Sequence, residues 1–133
     1  MEREKELCRS IKKQFLKMNV KTPEESWPND IQRALNCINE NIFDYEFSIN
    51  SMRKMCKIPQ NNFSGRFKYF VNYTPVSYLK TKRIECAIEI LNKVDSLLSI
   101  SSLALEVGYK YASTFSTAFK NITGESPTRF MKN

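Results

Sequence analysis

The fold class that this sequence predicts is all-α: an N-terminal helix, then two helix-turn-helix units joined by one long linker helix. Three observations carry it. Near the C-terminus, Ile100, Leu103, Ala104 and Val107, then Phe115, Ala118, Phe119 and Ile122, give two short helices, each with the i, i+3, i+4, i+7 stripe of a buried face. Gly108 stands between them as a left-handed cap, and the next helix needs only a few residues to begin, which is the helix-turn-helix pattern. The unit has an echo upstream. Ser48-Ile49 returns as Ser99-Ile100 after 51 residues, while Phe63-Ser64, Phe67-Lys68 and Thr74-Pro75 return as Phe115-Ser116, Phe119-Lys120 and Ser126-Pro127 after 52. Chemically matched sites in register point to two copies, the extra residue of the second lying in or beside its turn, where a length change costs little. Between the copies, Leu79, Ile84, Ala87, Ile88 and Leu91 mark an apolar line along one continuous helix.

Each element has its own local reason. In residues 1–20, Leu7, Ile11, Phe15 and Met18 recur every three or four residues among Glu, Lys and Arg, an amphipathic helix whose apolar face must cover something. Its own core, a partner subunit and an absent sensing domain all remain open as that something. Thr22-Pro23-Glu24-Glu25 opens like a helix, but Pro28 interrupts it, so residues 19–29 read as a connection and residues 1–26 as a separate N-terminal segment. The first unit spans residues 27–75. Trp27 is its core anchor, and Ile31, Leu35, Ile38 and Ile42 mark its first helix from Asn29 or Asp30. Asp44-Tyr45-Glu46 makes a turn, Ser48 caps the next helix, and Pro59 starts the third. Where the second copy has Ala104, Gly108 and Ala118, the first has Arg53, Lys57 and Arg66, so a looser fit is expected there.

Thr74 and Ser126 are N-caps with proline at N1, which sets the linker at residues 76–94 and the second unit at residues 95–133. On the linker, Lys80, Lys82, Arg83 and Glu89 fall off the apolar line. About 19 residues at 1.5 Å each give a rod of about 28 Å. Successive major grooves on one face of B-DNA are about 34 Å apart, so such a rod can set two helices into adjacent turns.

Composition narrows the chemistry. The formal net charge of +7 suits a polyanionic partner. Cys8, Cys37, Cys56 and Cys86 include no C-x-x-C pair and the chain has no histidine, so neither a zinc finger nor histidine-based catalysis can be built, and no metal, cofactor or catalytic residue is assigned. Reduced thiols, a charged N-terminus and the lack of an apolar run of about 20 residues predict a cytoplasmic protein without a membrane span.

Arg83-Ile84, Ala87, Leu91, Ile100, Leu103, Ala104, Gly108-Tyr109, Phe115, Phe119-Lys120, Gly124 and Ser126-Pro127 together resemble the C-terminal DNA-binding region of the AraC/XylS family of bacterial transcription regulators. The resemblance implies about seven helices in two homeodomain-like units, besides the N-terminal helix. It implies sequence-specific binding of double-stranded DNA at the nucleoid, with RNA polymerase as a further partner and a homodimer or sensing domain reached through residues 1–20.

Carried over from the matching Phe positions, the base-reading residues are Gln60, Asn61, Ser64 and Gly65 in the first unit, and Ala112, Ser113, Thr114, Ser116 and Thr117 in the second. Gln and Asn can pair bidentately with adenine, and Ser or Thr can serve either base type. Family members often carry arginine where this chain has Gly65 and Thr117, so these helices offer no strong guanine reader. Lys54, Lys57, Lys68, Lys110, Lys120 and Arg129 flank the same helices and suit phosphates. Tyr69, Tyr73, Tyr109 and Tyr111 read as core or helix-edge aromatics. Two other classes compete: a protein-docking module on this scaffold, which predicts no salt-dependent DNA binding, and an alkyl-accepting repair enzyme, for which four dispersed cysteines supply no constellation.

Overall fold

Apolar side chains sort into two cores that share one helix. The computed structural model describes residues 2–59, 62–94 and 98–132, and among these every regular element is a helix. They are α1 (Glu2–Met18), α2 (Asn29–Glu40), α3 (Ile49–Met55), α4 (Phe63–Val71), α5 (Pro75–Lys93), α6 (Ile100–Val107), α7 (Ala112–Thr123) and α8 (Pro127–Lys132). The first core gathers Ile31, Leu35, Ile38, Met52, Phe63 and Phe67 around Tyr78 and Leu79, at the start of α5. The second gathers Leu103, Val107, Phe115 and Phe119 around Ile84, Ala87 and Ile90, further along the same helix. The linker therefore belongs to both units.

The expected caps form. Ser51 N–H donates to Ser48 Oγ at 3.1 Å and Ser48 N–H donates back to Ser51 Oγ at 3.1 Å, a reciprocal box. Ser99 accepts from Ser102 N–H at 3.1 Å, Thr74 from Ser77 N–H at 3.2 Å and Ser126 from Arg129 N–H at 3.2 Å. Each satisfies an amide that the helix itself leaves without a partner.

Both turns use the same backbone device. Gly108 lies at φ +105° and Lys57, 51 residues upstream, at φ +53°, so a lysine takes a left-handed conformation that glycine takes more cheaply. The following amides close both turns alike: Tyr109 N–H donates to the Ala104 carbonyl at 2.8 Å and Ile58 N–H to that of Arg53 at 3.0 Å. Pro59 lies in the turn and α4 is described from Phe63, so proline is not its start as expected. The looser first unit is repaired in part by charge. Arg66, which stands where the second unit has buried Ala118, donates to both carboxylate oxygens of Asp30 at 2.8 and 2.9 Å, tying α4 to α2.

Two further expectations are corrected. On α1 the buried residues are Cys8, Ile11 and Phe15, packed into the second core, while Leu7 and Met18 are exposed; cysteine, not leucine, completes the inner stripe. On α5, Lys82 and Arg83 are not off the buried face: they are 8% and 7% exposed. Lys82 keeps its charge paired with Glu85 at 3.0 Å, and Arg83 finds backbone acceptors on the first unit.

Candidate nucleic-acid interface

In both units a pair of phenylalanines decides which way the second helix of the turn faces. Phe63 and Phe67 on α4, and Phe115 and Phe119 on α7, are buried, with ring centroids 5.7 Å apart in each pair. Anchoring at i and i+4 turns the opposite face of each helix outward. On α7 that face carries Ser113, Thr114, Thr117 and Lys120, all exposed, whereas Ala112 and Ser116 are half-buried on its flank. On α4 it carries Ser64, Gly65 and Lys68, also exposed. Gln60 and Asn61 lie outside the described residues.

The outward faces differ in how free their polar groups are. Thr117 Oγ1 donates to the Ser113 carbonyl at 3.0 Å, so its proton is engaged within the helix and its methyl and lone pairs are what it presents. Asn62, at φ +51°, holds its side-chain amide above Gly65, where an added Cβ would sit 2.7 Å from its Oδ1. Asn121 extends the stripe of Ser113 and Thr117 by another four residues and lines the same shallow hollow, which Lys80 of α5 closes from the other side. Sequence reasoning named neither as a contact, although the spacing of four beyond Thr117 was a signal for Asn121.

The cations surround these faces without crowding onto one spot. Lys68 and Lys120 occupy equivalent places on α4 and α7, 52 residues apart. Lys54 and Lys57 are exposed at the end of α3 and in the turn after it, and Arg129 is exposed on α8. Lys110, in the second turn, is half-exposed, with Glu46 only at the edge of ion-pair distance, 4.0 Å. Of the tyrosines, Tyr109 is buried, Tyr73 half-buried, and Tyr69 and Tyr111 stand at helix edges, exposed.

One buried cation joins the units. Arg83 Nε donates to the Ile42 carbonyl at 2.6 Å and Nη2 to the Asp44 carbonyl at 3.1 Å, both on the loop between α2 and α3. Its guanidinium lies 5.2 Å from the ring centroid of Tyr109, in the turn between α6 and α7. Burial pushes its pKa below the ordinary arginine value, opposed by Tyr109 and Asp44, yet a guanidinium with carbonyl acceptors keeps its proton at neutral pH. A linker residue thus grips a loop of one unit and the turn of the other, which fixes how α4 sits relative to α7.

Nothing comparable gathers around the cysteines. All four are free thiols, and burial pushes Cys37 and Cys86 up to about 12, so both are protonated at neutral pH and poor nucleophiles. Among the described residues there is no group of three or more His, Cys, Asp or Glu that could hold a metal ion. No described helix is long and apolar enough to cross a membrane.

Comparison with known proteins gives these faces a context. A family model described as a helix-turn-helix domain matches residues 53–133. The HTH-type transcriptional regulator AlkR of Acinetobacter baylyi is 31% identical over 84 residues, 63% of this chain; the match spans only 27% of AlkR itself. The C-terminal domain of AraT, a response regulator from Geobacillus stearothermophilus, superposes with a TM-score of 0.70 at 25% identity, covering 81% of this chain and 88% of that one. The DNA-binding domain of the global transcriptional factor AdpA, solved in complex with a target DNA, has the same fold, with a TM-score of 0.66 at 18% identity over 79% of this chain and 92% of that one.

Proposed function

The chain belongs to the AraC family of helix-turn-helix regulators, and from that premise we propose that it binds double-stranded DNA sequence-specifically as a transcription regulator, placing α4 and α7 in two successive major grooves. The observation that carries this reading is the Arg83 grip on Ile42 and Asp44, which holds two equivalent outward faces on one 19-residue helix. At about 28 Å the rod suits a groove repeat of about 34 Å, the outward placement of α4 and α7 supplying the remainder.

Roles follow from chemistry. Ser113, Thr114, Thr117 and Asn121 meet base edges from α7, with Ala112 and Ser116 on the flank; Gln60, Asn61, Ser64 and Gly65 do so from the first unit. Lys54, Lys57, Lys68, Lys110, Lys120 and Arg129 set position through phosphates. The longer amides of Gln60 and Asn61 give the first unit more of the base discrimination, and the second contributes mainly affinity. Because α1 uses its inner stripe within the second core, a second copy or a sensing domain would meet its outer side, where Leu7, Leu16 and Met18 are exposed. RNA polymerase is the further partner of a regulator at the bacterial nucleoid, and the function is binding without catalysis.

Footprinting on a duplex selected from a random library tests this. We expect protection on one face over about two helical turns, and a log–log salt slope of order −5 from about six phosphate contacts. Protection confined to half a turn, or an affinity indifferent to salt, overturns the reading and leaves protein docking as the use of the scaffold.

A further inference from the structure

Between the two units, bordered by Ser64 and Thr114, lies an open hollow of about 550 Å³, a volume typical of small-molecule sites. Its floor is apolar: Phe47, Leu79 and Tyr109 line it and are buried. Around its mouth stand Tyr45, Val76 and Tyr111, which are 47%, 49% and 63% exposed. Large apolar side chains left in water around one concavity mark a surface that a ligand covers.

The charge is one-sided. Arg53, Lys80, Arg83 and Lys110 line the hollow, and no Asp or Glu does. Arg83 is engaged with the Ile42 and Asp44 carbonyls, and Lys110 has only the distant contact with Glu46. Lys80 makes no ion pair among the described residues. A DNA backbone fits the rim better than the floor, where Phe47 and Leu79 offer a phosphate no donor in place of the water it would lose.

We propose that this hollow binds a small amphiphilic anion, an organic carboxylate or sulfonate whose aromatic or aliphatic body lies against Phe47, Leu79 and Tyr109 while its head group meets Lys80 and Lys110. Ser64 and Thr114 border the same space, so an occupant and a duplex exclude one another, and the anion acts as a regulator of DNA binding. That second half rests on the DNA-binding reading; the first half does not.

The probe is 8-anilinonaphthalene-1-sulfonate, followed by fluorescence titration of the whole chain without DNA. We expect saturable binding of one molecule per chain. Val76→Glu places a carboxylate at the mouth, in the first turn of α5, where a negative charge suits the helix dipole, so the fold is kept; a thermal melt checks this. It should weaken the probe tenfold or more, Lys80→Met severalfold, and the uncharged N-phenyl-1-naphthylamine should bind at least tenfold less tightly than the sulfonate. Leu105→Glu, at another exposed apolar residue on α6, should change binding less than twofold. Absence of saturable binding overturns the site, as does a Val76→Glu protein that binds like the original or a Leu105→Glu protein that loses as much. A saturating probe should then weaken duplex binding tenfold or more. An unchanged duplex affinity overturns the regulatory half alone, and a chain that binds no duplex at all overturns the DNA reading while the fluorescence still decides the site.

Discussion

Replacing Gly108 with alanine tests whether the second turn depends on a residue without a side chain. At φ +105° an L-residue is outside its comfortable left-handed region, a strain of about 1–3 kcal/mol. The added Cβ would also sit 2.6 Å from Arg83 Nε and 2.7 Å from the Ile42 carbonyl oxygen. The carbonyl is backbone and cannot swing aside, so Arg83 must shift and weaken a buried, charge-assisted hydrogen bond of about 1.5–3 kcal/mol. The total is about 2.5–6 kcal/mol, a large share of a stability of about 5–15 kcal/mol, and lowers Tm by about 10 °C or more. Lys57→Ala is the matched comparison. Lys57 occupies the equivalent turn position at φ +53°, is exposed and already carries a Cβ, so its loss should cost about 0.5 kcal/mol or less. Urea and thermal unfolding followed by circular dichroism measure both variants. Equal losses, or losses within about 1 kcal/mol of each other, would refute the claim that close approach of Arg83 and Ile42 demands glycine here.

The ion pair of the first unit gives a pH test. The hydrogen bonds from Arg66 hold the Asp30 carboxyl below its ordinary value of 3.8, so the pair's contribution is complete above that value and fades as pH falls through the lower folded one. Asp30→Asn should therefore lower Tm near neutral pH and leave it almost unchanged in strong acid; a gap that stays constant down the pH series contradicts the assignment. Arg83→Met removes both donors to the loop after α2, and the protein should tolerate a base pair inserted between half-sites better than the original does. A full spacing penalty retained by this variant in gel-shift titrations would show that the grip does not set the distance between grooves. Thr117→Arg supplies a bidentate guanine reader on the exposed face of α7, a preference of about 1–3 kcal/mol, and library selection should enrich guanine at one position; an unchanged selected sequence would place Thr117 away from the bases.

Much of the geometry of the candidate interface was legible in the sequence because its causes are local. The caps at Ser48, Thr74, Ser99 and Ser126 need only a hydroxyl three residues before an amide, and the helices need only their apolar period. The phenylalanine pairs fixed which face of α4 and α7 looks outward, so Ser64, Ser113, Thr114 and Thr117 could be named before any coordinates. Lys80 escaped because the hollow it shares with Asn121 is made by two helices, which no single-helix pattern describes, whereas Asn121 lay four residues beyond Thr117 on the same stripe.

What the sequence determined by itself is therefore the list of helices, the hydroxyl caps at four of their starts and the doubling of the unit. Only the tertiary structure decided that Cys8 rather than Leu7 faces inward, that Lys57 adopts the glycine conformation, and that Arg83 and Lys82 are buried. Periodicity reports that a helix has an apolar side, but the width of the covered side depends on how many neighbours pack on it, and α5 serves two cores at once. A charged residue can be buried there only if acceptors meet it, and those of Arg83 lie 41 and 39 residues away in the chain. That encounter exists only once both units have closed on the linker, which is why apolar periodicity alone places the residue joining them off the buried face.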